Sequence, residues 1–152
     1  MKNTLYFIFL LVILGSVACG ESSDESDTNE EMVEVTEPEI IGNYMDDYMA
    51  SHVISASSWT QSFGEGIPSV FNFRKVDNEQ DFLIAENDAM NEYSPSLFSR
   101  FDWVVVEGNL WYCQTIFDAE SAEVAEATPA ADATDPSAGG CGMYPWSALS
   151  SQ

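Results

Sequence analysis

A chain of 152 residues with 26 acidic and four basic side chains carries a formal charge of −22. Such a surface repels the phosphates of nucleic acid and the headgroups of anionic lipids, so neither is expected as a partner. It attracts cations and basic partners, and its plainest consequence is solubility, because excess carboxylates stay hydrated.

The first 18 residues hold one charge, Lys2, followed by "TLYFIFLLVILGSVA". The apolar run from Leu5 to Leu14 is shorter than the roughly 20 residues of a membrane span. A positive start, a short apolar run and small residues before a cut site predict a secretory signal peptide over 1–18. Ser16 and Ala18 suit a general signal peptidase, which would release a secreted protein beginning at an unmodified Cys19.

The same stretch, "SVAC", resembles the lipobox of bacterial lipoproteins, in which an apolar run and small residues precede an obligatory cysteine. Ser16 stands where that family usually has leucine. The resemblance implies that Cys19 is acylated and becomes the first mature residue, anchored by several acyl chains, since one alone binds only marginally. The cysteine count agrees with it. Three cysteines in an exported chain leave one unpaired, and acylating Cys19 leaves Cys113 and Cys141 to pair with each other. Gly20 is not the aspartate associated with inner-membrane retention in enteric bacteria, so the resemblance implies the outer membrane, on its periplasmic or exposed side.

From Glu21 to Glu39 the chain reads "ESSDESDTNEEMVEVTEPE", in which nine of 19 residues are acidic and none is basic or aromatic. This composition predicts a disordered, charge-extended tether over 19–39 ahead of a domain at 40–152. Acidic residues close behind a lipidated cysteine also resemble the surface-export signals of some bacterial lipoproteins.

Within the domain, "YMASHVISASSWTQSF" supplies one or two strands. "SVFNFRKV" and "DFLIAEN" flank "DNEQ" as a hairpin, with Phe71 and Phe73 on one face. "NDAMNEYSPSLF" connects this to the clearest pair, "RFDWVVVEGNLWYCQTIF", with a two-residue turn expected at Gly108-Asn109. That register places Phe101, Trp103, Val105, Leu110, Tyr112 and Ile116 on one face, and Val104, Val106, Trp111, Cys113 and Phe117 on the other. Both faces are apolar, so both need cover.

A short helix is expected next, capped by Asp118, with Glu120 and Glu123 in its first turn and Pro129 ending it. "GGCGMYPWSAL" is the expected cover for the second face. Trp146 and Leu149 would anchor it, and a Cys113–Cys141 disulfide worth roughly 3 to 4 kcal/mol would pin it. The sum is a mainly β fold: a small antiparallel meander of five or six strands, curled or barrel-like, with one short helix.

The domain also resembles exported bacterial lipoprotein domains of unassigned function, through "DDY", "NLWYCQTIFDA" and "GGCGMYPWSAL" over most of residues 40–149. A barrel of this size is similar to a lipocalin at the level of fold alone.

Few residues point to chemistry. His52 is the sole histidine, no G-x-S-x-G elbow accompanies it, and its alternating surroundings predict a strand histidine rather than a catalytic one. Asp77, Glu79 and Asp81 alternate like the start of a calcium loop, but Phe82 stands where that motif needs glycine, so an acidic turn is expected and calcium is the weaker reading. Asp46-Asp47, and Glu86 with Asp88, are carboxylate pairs of the kind used in glycoside hydrolysis, at a density chance alone supplies in so acidic a chain.

The expected function is therefore a lipid-anchored, non-enzymatic binding or structural module of the cell envelope with an envelope protein as partner. A small-ligand carrier using a lipocalin-like interior is the alternative, and a carboxylate-based hydrolase comes third.

Overall fold

The computed structural model describes residues 35–152. Residues 1–18, Cys19 and the tether as far as residue 34 lie outside the described residues.

Eight antiparallel strands close into a barrel. They are β1 (Gly42–Asp46), β2 (Ala50–Ile54), β3 (Ser58–Phe63), β4 (Ser69–Asp77), β5 (Phe82–Asn87), β6 (Phe98–Val106), β7 (Asn109–Ala119) and β10 (Ser147–Ser151). Neighbours follow chain order from β1 to β7, and β10 enters between β7 and β1 to close the ring. Between β7 and β10 come one helix, α1 (Ala122–Ala127), and a two-stranded hairpin of β8 (Gly140–Cys141) and β9 (Tyr144–Pro145). The mainly β, antiparallel, barrel-like expectation holds, but the count of five or six strands was too low. β1 (GNYMD) and β10 (SALSS) carry too little apolar alternation to stand out as strands. They are held by pairing on both sides rather than by propensity.

Cross-strand partners share a face of a sheet, so the register sorts the interior into layers. The register pairs Trp59 with Phe71, and ring contacts gather His52, Phe101 and Tyr112 around them as a middle layer. Trp59 is fully buried and stacks on Phe101 with ring centres 4.8 Å apart; Phe71 meets Phe101 edge-on at 4.9 Å. Below it lie Ile54, Phe73, Leu83, Trp103, Leu110 and Leu149. The chain enters at that lower end, where Ile40 is buried and Val35 packs on the core. Asn78 holds this entering segment, accepting from the Glu39 amide and donating to the Glu37 carbonyl. Pro38 is also buried. Residues 35–39, of apparently tether-like composition, thus belong with the domain, with Val35 packed on its core and Pro38 buried.

The β6–β7 hairpin turns one residue earlier than expected. Val106 pairs with Asn109, leaving Glu107 and Gly108 in the turn, both with positive φ (53° and 80°). This is the primed turn with glycine second rather than first. Moving the turn by one residue changes the pairing by two and leaves each residue's face intact. Phe101, Trp103, Leu110 and Tyr112 therefore share the inner face as expected.

Ile116 does not join them. The ladder is irregular on both sides of Arg100, and Ile116 packs outside, with Phe82, Ile84, Ala119 and Ala125 beneath α1. The helix cap is Ser121, whose hydroxyl accepts from the Val124 amide, because Asp118 still belongs to β7.

The C-terminal cover forms, pinned by a Cys113–Cys141 disulfide with Cα atoms 5.5 Å apart. Trp146 is buried and donates to the Asp132 carbonyl at 3.0 Å. Leu149 is not part of the cover; it points into the barrel from β10. At Gly140 a side chain is impossible, since a Cβ would meet the Asp132 carbonyl oxygen at 1.9 Å.

Helix α1 is held by a buried ion pair. Arg100 donates from Nη2 to Asp102 at 2.8 Å and from Nη1 to the carbonyls of Glu126 and Thr128, and its guanidinium lies 4.1 Å from the Phe82 ring centre. Thr115 donates to the second oxygen of Asp102 at 2.9 Å.

Two predictions follow from these contacts. Arg100→Met should destabilise the domain by about 3–5 kcal/mol in chemical denaturation by leaving Asp102 buried and unpaired, and the double variant Arg100→Met/Asp102→Leu should recover much of the loss. Glu107→Asn should stabilise by up to about 1 kcal/mol, because asparagine tolerates the left-handed region that glutamate enters at a cost.

Candidate functional site at the barrel mouth

At the end opposite the chain entry the inward-facing residues change character. Gln61 pairs with Ser69, Phe71 with Asn87, Ala85 with Ser99, and Phe101 with Gln114. Above the aromatic layer the barrel is thus lined by neutral amides and hydroxyls. Ser99 donates to Asn87 Oδ1 at 2.6 Å and Gln114 Nε2 donates to Ser99 Oγ at 3.0 Å. Asn87 Nδ2 donates to the carbonyls of Ser94 and Phe117, both at 2.8 Å, tying the β5–β6 loop to β7. Gln61 Nε2 is shielded from solvent and has no hydrogen-bond partner.

Three depressions meet here. One of about 380 Å³ is lined by Gln61, Ser69, Phe71, Asn87, Tyr93, Gln114 and Phe117. A second, about 330 Å³, shares Gln61, Ser69 and Tyr93 and extends to Phe63, Ile67 and Glu92. A third, about 390 Å³, shares Gln114 and opens sideways past Tyr48, Tyr112, Tyr144 and the disulfide. The side opening has a simple cause. β10 pairs with β7 only as far as Tyr112, so the upper part of β7 has no strand paired to it on that side.

The rim is apolar. Of the 13 exposed large apolar side chains among the described residues, eight lie at this end: Tyr48, Met49, Phe63, Ile67, Met90, Tyr93, Phe117 and Tyr144. Clustering of this kind marks an interaction surface, whereas single scattered apolar residues do not.

A buried network sets one rim loop. Trp59 Nε1 donates to His52 Nδ1 at 3.0 Å, so the His52 proton is on Nε2, which donates to Asp46 Oδ2 at 3.2 Å. The other oxygen of Asp46 accepts from the amides of Tyr48 and Ala50 at 2.9 and 2.8 Å. That bond pattern holds the β1–β2 loop, with Met49 at φ 68°. Burial lowers the His52 pKa, with Asp46 opposing, and keeps the ring neutral. Burial and the nearby Asp46 charge hold the Tyr112 phenol far above its usual range. With 1 % exposure and both nitrogens committed, His52 has no free position for a substrate.

The other sequence candidates fall elsewhere. Asp77 accepts from the amides of Glu79 and Gln80 and so folds the β4–β5 turn at the floor end. Burial, Glu39 and Asp77 raise the Asp81 pKa. Among the described residues no three His, Cys, Asp or Glu side chains stand together as metal ligands. Glu86 pairs with Arg74 on the outer wall, and Asp47 accepts from the Ala148 amide.

Sequence reasoning did not single out Gln61, Ser69, Tyr93 or Gln114. The usable signal was the end of each alternating pattern, where inward positions pass from aromatic to neutral polar, as from Trp59 to Gln61 and from Phe101 to Ser99.

Fold and site together define a closed eight-stranded barrel, floored at the chain entry and open at a neutral mouth with an aromatic rim. No family model, curated protein or solved structure matches the chain.

The His52 network predicts a pH effect. The folded pKa lies below the unfolded value near 6.5, so its stabilisation is complete above that value and is lost as pH falls toward the folded one. Between about pH 6.5 and 5, above the main carboxylate range, the thermal midpoint of the wild type should fall relative to that of His52→Phe, measured by circular dichroism. Parallel curves would contradict a neutral buried His52.

Proposed function

We propose that the chain is a lipid-anchored cell-envelope protein, held through Cys19, that works as a non-enzymatic binding module and engages another envelope component through the barrel mouth. The observation that carries this is the placing of eight exposed apolar side chains around the end opposite the chain entry. An anchor on the N-terminal side attaches at the chain-entry end and leaves the mouth end free, with the acidic stretch after Cys19 as a spacer. The Cys113–Cys141 disulfide fits an exported chain, since such bonds persist in oxidising compartments. The commitment of both His52 nitrogens supports a binding rather than a catalytic role. The carrier alternative keeps only the mouth, because Trp59, Phe101 and their neighbours fill the interior below it. The outer membrane is the proposed location, from Gly20 after the lipobox-like stretch, with simple secretion as the alternative.

Intact-mass analysis of the detergent-extracted protein should give a chain beginning at Cys19 with added acyl groups; an unmodified Cys19 terminus would defeat the anchor. A photo-crosslinking amino acid at Tyr93 should capture an envelope component that the same probe at Val105, near the floor end, does not. Equal capture at both positions would remove the mouth as the docking end.

A further inference from the structure

Resting on the reading of the mouth as the binding end, we infer that its ligand is a neutral saccharide, seated among Gln61, Ser69, Gln114, Tyr93 and Phe117. The argument runs through the chemistry of the lining. In a chain of charge −22, the central depression has no charged side chain in its wall. An anionic ligand would meet no cation there: Arg74, Lys75 and Arg100, the basic residues of the described chain, are all paired with carboxylates elsewhere. A cationic ligand would find no carboxylate within the central depression, although many lie outside it. A wholly apolar ligand would cover the amides without offering them partners, and buried polar groups left unpaired are costly.

What remains is a neutral molecule with hydroxyl groups on its edges and an apolar face. The amides and Ser69 address the edges. Tyr93 and Phe117, which are 73 % and 55 % exposed, offer aromatic faces to the C–H surface of a sugar ring. Gln61 lines the depression with a neutral amide whose Nε2 has no hydrogen-bond partner; that donor is shielded, and a ligand hydroxyl oxygen reaches it once the side chain turns toward the depression. At about 380 Å³ the depression lies within the range of small-molecule sites, ~300–1,000 Å³. The sideways opening between Tyr48 and Tyr144 lets a longer glycan leave the mouth without meeting the filled interior.

The test is amide and aromatic NMR on the full mature chain, made water-soluble by Cys19→Ser. It is titrated with chitobiose, cellobiose and maltotriose, and in parallel with glucuronate and octanoate. At least one neutral saccharide should shift the side-chain amides of Gln61 and Gln114 and the Tyr93 ring, with glucuronate and octanoate weaker. Gln61→Leu separates binding from folding. Removing an unpartnered buried donor should leave the thermal midpoint unchanged or raise it, while weakening saccharide binding about tenfold or more. A residue kept only for the fold would instead lower the midpoint and spare the binding.

Shifts from octanoate alone, saccharide shifts away from the mouth, or none from any saccharide would overturn the inference. If the saccharides fail while the Tyr93 probe still captures an envelope component, the ligand class falls and the binding reading stands. If both fail, both fall.

Discussion

Everything in this domain depends on filling the inside of an eight-stranded barrel. Such a ring has an interior just wide enough for side chains, and an unfilled centre would forfeit dispersion contacts on every wall. Trp59 solves this at mid-height, stacked on Phe101 and surrounded by Phe71, His52 and Tyr112. The N–H of this buried indole donates to His52. That choice fixes the histidine tautomer, which in turn commits Asp46 and so shapes the loop bearing Tyr48 and Met49. A packing requirement in the core is transmitted, hydrogen bond by hydrogen bond, to the rim.

The two ends then resolve differently. The floor is closed by apolar side chains from the entering segment, Ile40 and Val35. The mouth is lined by amides and hydroxyls that bond one another across β5, β6 and β7. Outside, the same division of labour recurs. Arg100 and Asp102 weld α1 to the wall, while the disulfide and Trp146 hold the segment that leads into β10. The closing strand is therefore delivered by an element the chain must first lay over the outer face.

Much of this was legible in sequence where alternation is strong. The body of the β6–β7 hairpin from Arg100 to Phe117, the shared face of Phe71 and Phe73 in β4, a short helix after β7 and the cysteine pair all follow from pattern and count. The register of the hairpin did not, because Glu107 carries no turn signal and only Gly108 does. The strands β1 and β10 were obscured because their residues are small or polar and their stability comes from neighbours on both sides. Residues 35–39 looked like tether because acidity dominates composition there, although Pro38 and Val35 are what the fold uses. The site was hidden for a related reason. Neutral amides are unremarkable in a list and become a lining only when closure brings strands distant in sequence around one opening.

The chain enters beside β1 at the floor, and β1 lies between β2 and β10 with its far end at the mouth. A pull applied between the entering segment and the mouth end of the barrel runs lengthwise along these strands. The hydrogen bonds of both ladders then share the load together instead of parting one after another from an end. Loaded in that direction the domain is in shear, the geometry in which paired strands resist force best.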